Sequence, residues 1–116
     1  MLPRAHRLVR ERDFREVLKE HKGFREGGLF LKAKKRSNSS LRFGIVVGKN
    51  VSAKATSRNR FRRVLAEALQ KKLSEIKEGH DAVIIALPRA ELKSLAEAEI
   101  VLEKLLRKAS LLKHHP

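Results

Sequence analysis

The stretch from Lys54 to Arg63 has the side-chain chemistry of a phosphate-binding surface. It carries five Lys or Arg side chains and no acidic one, and it lies within a larger block, residues 27–66, that holds eleven Lys or Arg and neither Asp nor Glu. Solvated protein surfaces usually mix charges of both signs, because like charges repel one another. An unmixed block of this size favours a polyanionic partner, and nucleic acid is the partner whose phosphates such cations neutralise.

Side chains able to cleave a phosphodiester bond are absent from this block. Hydrolysis by the protein itself would require a general base or, with two metal ions, several converging carboxylates. The two Asp residues lie elsewhere: Asp13 falls near the start of a predicted helix, and Asp81 heads a predicted strand, where we expect a cap or a turn. The histidines lack the i, i+4 spacing of a zinc site and are scattered: His6, His21, His80, His114 and His115. We therefore predict a binding surface without catalytic or metal-ligating residues.

Length and composition predict one soluble domain spanning residues 1–116, with frayed ends at 1–6 and 110–116. The chain has 116 residues, a net charge of +15 and no cysteine, which excludes disulfides and suits a reducing compartment. Its longest strictly apolar run, Ala82 to Leu87, is far shorter than the roughly 20 residues that span a bilayer. Anionic membrane surfaces are a second physical option for the basic block, but its apolar residues fit a protein core. The expected location is the cytoplasm.

The most regular predicted element is a helix of about twenty residues that carries the basic stretch at its start. Its apolar positions recur at helical spacing: Phe61, Val64, Leu65, Ala68, Leu69, Leu73 and Ile76. Either Thr56 or Ser57 is expected to cap the helix by accepting a hydrogen bond from a free backbone N–H. Two i, i+4 pairs lie beside and opposite the apolar stripe: Arg58 with Arg62, and Asn59 with Arg63. The pattern predicts a basic ridge at a helix N-terminus.

Apolar spacing predicts the other elements as helices over 11–21 and 94–108 and strands over 29–34, 41–48 and 81–87. The first strand region leaves room for a hairpin. The run Gly44 to Val47 is apolar on both faces, which predicts a central strand. The order is thus α-β-β-α-β-α, with a basic loop at residues 49–55 between a strand and the long helix.

The hexapeptide Arg58-Asn59-Arg60-Phe61-Arg62-Arg63 resembles the signature of the bacterial ribonuclease P protein family, in which an Arg-Asn-Arg triplet opens a helix and a basic pair follows. Three further matches follow the family order: Arg7-Leu8 with Asp13-Phe14 and Val17, then Arg42 to Val47, and then Asp81 to Ala86. The resemblance covers about residues 7–109.

This resemblance implies an α+β fold, a two-layer α/β sandwich with the order α-β-β-β-α-β-α, similar to domain 2 of ribosomal protein S5. It also implies a left-handed βαβ crossover through the long helix, whereas general rules favour the right-handed form. By the same resemblance, the protein is the RNA-binding subunit of a ribonucleoprotein endoribonuclease that removes the 5′ leader from precursor tRNA. Catalysis is expected from the RNA subunit, and Mg²⁺ is expected to act mainly through that RNA. The implied partners are the catalytic RNA and the leader, with no membrane and no obligate protein partner.

Similarity to the family implies specific contacts. The residues expected to contact the catalytic RNA are Lys49, Lys54, Arg58, Asn59, Arg60, Arg62 and Arg63. The residues expected to line a leader cleft between the first helix and the sheet are Phe14, Val17 and Phe30, with core packing as the alternative for the two phenylalanines. The sequence departs from the family at the loop 51–55, which lacks the usual Gly, and at Leu18 and Ala33, where relatives often carry aromatics.

Two rival functions remain open from the sequence. A structural ribosomal or general RNA-binding protein would bind structured RNA with no preference for a leader. A protein-only nuclease would cleave precursor tRNA without RNA, and the missing carboxylates argue against it.

Overall fold

The structure is a computed structural model that describes residues 2–113. Its helices and strands are α1 Glu11–Leu18, β1 Phe24–Glu26, β2 Leu29–Lys35, β3 Leu41–Val46, α2 Ala55–Lys72, β4 His80–Ala86 and α3 Leu95–Lys108, with short 3-10 turns at Arg4–His6 and Leu73–Glu75. The strands form one sheet of order β1-β2-β4-β3. This arrangement confirms the predicted α+β fold and its α-β-β-β-α-β-α order.

The hairpin for which the sequence left room is present, with β1 antiparallel to β2. Its turn consists of Gly27 and Gly28, whose φ angles are 53° and 82°. A two-residue turn with positive φ at both positions matches the twist of its strands, and glycine adopts that conformation without a steric cost. The hairpin is therefore encoded locally by the glycine pair.

Strand β3 lies at the edge of the sheet, so the prediction of a central strand was wrong. Its outer side is covered by the N-terminal segment, where the backbone N–H of Leu8 donates to the carbonyl oxygen of Phe43 at 2.9 Å. Covering an edge in this way prevents unwanted pairing with another chain. The central position belongs to β4, which pairs parallel with β3 and antiparallel with β2. The left-handed sense of the β3-α2-β4 crossover stays a prediction.

Helices cover both faces of the sheet. The larger core joins α2 and α3 to one face and includes Leu65, Ile84 and Leu102. The smaller core, on the other face, joins α1 and the N-terminal segment to the sheet through Leu8, Val17 and Val83. Successive residues of a strand point to opposite faces, so a strand buried on both sides needs an unbroken apolar run. This explains the apolar composition of β4.

The chain ends that we expected to be frayed are packed within the described residues. Leu2, Leu111 and Leu112 are buried in the larger core, and the backbone N–H of Lys77 donates to the carbonyl oxygen of Leu111 at 2.7 Å. Residues 1 and 114–116, including His114 and His115, lie outside the described part of the chain. Helix α1 ends at Leu18, earlier than predicted, and α2 passes into a 3-10 turn after Lys72. No helix between residues 2 and 113 is both long and apolar enough to cross a bilayer.

Candidate nucleic-acid interface

Helix α2 begins without a side-chain cap. Lys54 is the N-cap residue and makes no capping hydrogen bond, whereas Thr56 and Ser57 lie inside the first turn. The prediction that one of these hydroxyls caps the helix was therefore wrong. The first turn also contains no acidic residue. Because free N–H groups and the helix dipole place partial positive charge at this end, the start of α2 favours anions.

Buried residues fix the orientation of this helix start. Phe61 is only 7% exposed and Leu65 is fully buried, as predicted for the apolar stripe. We use the term basic ridge for the seven residues predicted to contact RNA: Lys49, Lys54, Arg58, Asn59, Arg60, Arg62 and Arg63. All seven lie in the loop after β3 or in the first half of α2. The apolar side of α2 thus holds the ridge on the outside of the fold.

Two arginines of the basic ridge are anchored to the backbone. Arg58 is half-buried, and its Nη1 donates to the carbonyl oxygens of Ser52 and Ala53 at 2.9 and 3.0 Å. Arg62 donates from Nη1 to Asn59 Oδ1 at 2.8 Å and from Nη2 to the carbonyl oxygen of Val47 at 3.3 Å. These bonds tie the loop after β3 to α2. Arg58 and Arg62 therefore help to shape the ridge as well as to charge it.

The structure does not bring all seven ridge residues into one surface. Asn59, Arg62 and Arg63 line a groove of about 540 Å³ along α2. Arg60 lines a separate cavity of about 330 Å³ between α2, the loop after β3 and residues 90–93. The ridge consequently presents cations in two directions. One molecule of RNA would have to wrap around the helix start, or use two segments, to reach both.

A buried ion cluster accounts for two cations of the basic block. Asp81 has an 8% exposed side chain and accepts hydrogen bonds from Arg42 Nε at 2.9 Å, Arg42 Nη2 at 2.7 Å and Arg36 Nη1 at 2.9 Å. Arg42 Nη1 also lies 3.4 Å from Asp13 Oδ2. The prediction that Asp81 forms a cap or a turn was wrong, because its carboxylate instead neutralises two arginines inside the fold.

Further ion pairs lie away from the basic ridge. Lys34 Nζ lies 3.3 Å from Glu16 Oε2, and Lys19 Nζ lies 3.2 Å from Glu16 Oε1. The hydrogen bonds from Lys19 and Lys34 hold the pKa of the Glu16 carboxyl below its ordinary value. Within residues 2–113, none of the six Lys and Arg of the ridge forms an ion pair with a carboxylate. These six cations remain available to phosphates.

An open apolar row lies on the sheet face that carries α1. Val46, Ile85 and Phe30 are register partners across β3, β4 and β2, and we call these three residues the open row. Val46 is 38% exposed, and Phe30 and Ile85 are half-buried. Contiguous apolar surface, unlike apolar residues exposed singly, often marks an interaction site. The open row is a candidate surface for the apolar faces of nucleobases.

The residues predicted to line a cleft have different roles. Phe14 packs over Gly44, where a Cβ atom would lie 2.3 Å from Phe14 Cε1, and both Phe14 and Phe30 remain half-buried. Val17 is fully buried in the smaller core with Val83, so its assignment to the cleft surface was wrong. Val17 supports α1 from beneath.

Sequence reasoning missed two residues of the open row. The signal for Ile85 was present, since it lies two residues after Val83 and therefore on the same sheet face. Val46 was missed because β3 was taken for a central strand. Ala33 pairs with Ala82 and packs on the face of α2 and α3, so its small size does not affect the row. Leu18, at the end of α1, is 39% exposed.

The sequence matches a known protein family over most of its length. The family model described as Ribonuclease P matches residues 2–110. The chain belongs to the ribonuclease P protein family. Membership in this family makes the chain part of a ribonuclease.

Ribonuclease P protein components from several organisms are among its relatives. The ribonuclease P protein component of a Pseudanabaena species is 37% identical over 97% of both chains. That of a Synechocystis species is 34% identical and covers 97% of this chain and 92% of its own. The match therefore extends over nearly the whole length of each protein.

Solved ribonuclease P proteins have the same fold. The protein from Thermotoga maritima superposes with a TM-score of 0.75 at 29% identity, covering 89% of this chain and 96% of its own. The protein from Staphylococcus aureus superposes with a TM-score of 0.83 at 22% identity, covering 95% and 100%. The Staphylococcus likeness supports the fold alone.

The donor groups of this ribonuclease P family member differ from those of a protein-bound metal site. Between residues 2 and 113, no group of three or more His, Asp or Glu side chains lies close enough together to hold a metal ion. The basic ridge itself contains no carboxylate. A Mg²⁺ ion prefers oxygen ligands, chiefly carboxylates, phosphates and water. The side chains of the ridge therefore do not fit a Mg²⁺ ion held by protein ligands alone.

Proposed function

We propose that the chain is the RNA-binding subunit of ribonuclease P and assists a catalytic RNA in removing the 5′ leader from precursor tRNA. The observation that carries this proposal is the meeting of the basic ridge and the open row at one end of the sheet. Val46 is the last residue of β3, and the carbonyl oxygen of the next residue, Val47, accepts a hydrogen bond from Arg62. A single strand of RNA lying on the open row would thus be next to the ridge.

The basic ridge is proposed to bind the catalytic RNA. Its six cations have no carboxylate partner in the described part of the chain, so phosphates would release condensed counterions on binding without first breaking an ion pair. The uncapped start of α2 adds backbone N–H groups that favour the same anions. Because the ridge presents cations in two directions, it fits a folded RNA better than a single extended strand.

The open row is proposed to hold the leader. Phe30, and Phe14 over Gly44, offer aromatic surface on this sheet face. Stacking of a base on an aromatic side chain contributes about 1–3 kcal/mol with little sequence preference. Val46 and Ile85 extend this apolar surface across the sheet. Lys32, on the same sheet face, supplies a cation near the end of α1 through its hydrogen bond to the carbonyl oxygen of Leu18 at 3.0 Å. A leader of variable sequence fits such a surface.

Mg²⁺ is proposed to act through the RNA subunit, because the basic ridge supplies cations and no oxygen-rich cluster. The side chains of this protein would then bind phosphates and orient the strand, and hydrolysis would be performed by the RNA. The proposed site of this activity is the cytoplasm, where we expect precursor tRNA to be processed.

Reconstitution with the cognate RNA tests the proposal. Affinity for precursor tRNA should rise on addition of the protein, and affinity for mature tRNA should change much less. The measurement is the dissociation constant of each tRNA with and without protein, together with cleavage at low magnesium. Equal enhancement of both tRNAs would favour a general RNA-binding protein. Cleavage by purified protein without RNA would favour a protein-only nuclease.

A further inference from the structure

We infer that Asp13 and Arg42 are positioning residues that fix α1 on the sheet and so set the position of Phe14 beside the open row. This inference rests on the proposed function only in its expected effect on leader binding. The positioning of α1 itself does not depend on that function. Its basis is a continuous chain of charged contacts from the buried Asp81 through Arg42 to Asp13.

Asp81 fixes the guanidinium of Arg42 in one orientation. Two parallel hydrogen bonds, from Nε to Oδ1 and from Nη2 to Oδ2, form the bidentate geometry in which a guanidinium is most rigid. Arg36 holds the same carboxylate from the turn after β2. The remaining terminal nitrogen of Arg42, Nη1, is the one that faces Asp13. Arg42 therefore presents to α1 a guanidinium whose orientation is already fixed by Asp81.

Helix α1 depends on tertiary contacts of this kind, because it is short and buries only one residue fully. It has eight residues, its N-cap Arg10 makes no side-chain cap, and Val17 is its only fully buried residue. Isolated helices of this length are unstable in water, so tertiary contacts must supply the stability. Asp13 contacts β3 on one side of Val17, and Glu16 contacts Lys34 of β2 on the other. The two ion pairs bracket the buried contact.

The two ion pairs are unequal. In the pair of Asp13 with Arg42 the side chains are 21% and 23% exposed, whereas in the pair of Glu16 with Lys34 they are 44% and 42% exposed. Solvent screening weakens exposed pairs, which contribute little on average. Asp13 also precedes Phe14, whose ring rests on Gly44 at the border of the open row. Loss of the Asp13 contact should therefore loosen the end of α1 that carries Phe14.

Three charge-matched variants test the inference in the reconstituted complex. Asp13→Asn, Glu16→Gln and Glu11→Gln each remove one negative charge from α1, but the pair of Glu11 with Arg15 lies within the helix and is exposed. Asp13→Asn should lower the ratio of precursor to mature tRNA affinity by about threefold or more. Glu16→Gln should lower it less, Glu11→Gln should leave it unchanged, and assembly with the RNA should stay constant in all three. Asp13→Glu should restore part of the ratio.

Equal ratios of precursor to mature tRNA affinity in Asp13→Asn and Glu11→Gln would overturn the inference. A loss of RNA assembly in Asp13→Asn as large as its loss in this ratio would also overturn it. Hydrogen exchange in the free protein provides a readout that does not depend on the proposed function. In Asp13→Asn the amides of α1 should exchange faster while those of β4 keep their protection. Unchanged exchange in α1 would overturn the positioning role. A wild-type complex that does not distinguish the two tRNAs would overturn leader binding, and the exchange result would still decide whether Asp13 positions α1.

Discussion

Arg58 donates a hydrogen bond from Nη1 to the carbonyl oxygen of Ser52, at 2.9 Å. The same nitrogen also reaches the carbonyl oxygen of Ala53. The loop after β3 is therefore held to α2 by a residue that the sequence assigned to RNA contact alone. This relationship divides the basic ridge into residues that organise it and residues that are exposed for binding.

Arg63 belongs to the exposed group, so Arg63→Ala should weaken RNA binding without weakening the fold. The salt dependence of RNA affinity should become shallower by about one unit in the logarithmic slope, because one phosphate contact is lost. The free energy of unfolding should change by less than about 0.5 kcal/mol. The measurement is RNA affinity over a range of salt concentrations. Lys104→Ala, on α3 away from the ridge, is the control, and an equal change of slope there would contradict the prediction.

Arg58 belongs to the residues that organise the ridge, and Arg58→Lys should separate the role of its positive charge from its role in holding the loop after β3. A lysine keeps the positive charge but cannot reproduce the planar fork of the guanidinium. The salt slope should stay close to that of the wild type, while the free energy of unfolding should fall by about 1 kcal/mol because hydrogen bonds to the loop are lost. Urea unfolding and salt titration together provide the measurement. A slope reduced as much as in Arg63→Ala would contradict the prediction.

Asp81→Ala should destabilise the fold strongly. It would leave Arg36 and Arg42 without the carboxylate that they share, although Arg42 would keep its contact with Asp13, and removing one partner of a largely buried ion cluster costs about 3 kcal/mol. Urea unfolding measures the effect. Glu103→Ala removes an exposed carboxylate paired with Arg107 and should cost less than about 1 kcal/mol. Similar losses in both variants would mean that the cluster around Asp81 contributes no more than a surface pair.

Gly44→Ala should disturb α1 through volume alone. The added Cβ would lie 2.3 Å from the ring of Phe14, so the ring or the helix must move, and overpacking of this kind costs about 1–3 kcal/mol. A second change, Phe14→Leu, should recover part of the loss in the Gly44→Ala background while it destabilises the wild type. Thermal unfolding of the four proteins provides the measurement. Additive losses in the double variant would contradict the proposed contact.

The acid dependence of stability should include a contribution from Glu16. Its pKa in the folded protein is lowered from the ordinary 4.5 by hydrogen bonds from Lys19 and Lys34. A carboxyl group with a lowered pKa stabilises the fold above its unfolded pKa, and this contribution is lost as pH falls through the folded value. The stability difference between wild type and Glu16→Gln should therefore be constant from pH 7 to about pH 5 and shrink below about pH 4. Melting curves across this range test it, and a difference that grows on acidification would contradict it.

Local patterns in the sequence were sufficient for much of this fold. Helical spacing identified α2 with its buried Phe61, and the pair Gly27-Gly28 encoded the hairpin turn. The resemblance on residues 58–63 led to the correct family. The block at residues 27–66, which has no acidic residue, showed where most of the excess positive charge lies. These features depend on neighbouring residues, whose periodicity and backbone preferences are fixed by covalent order.

Tertiary structure alone decided how the surfaces are assembled. The sheet order made β3 an edge strand, buried Val17, and gave the carboxylate of Asp81 to two arginines distant in sequence. It also placed Val46, Ile85 and Phe30 in one row beside the basic ridge. Strand pairing and register bring together residues that no local pattern connects, because the energy of such contacts depends on which distant segments pack against each other. The sequence by itself therefore determined the chemistry of the binding groups, and the tertiary structure determined which of them share a surface.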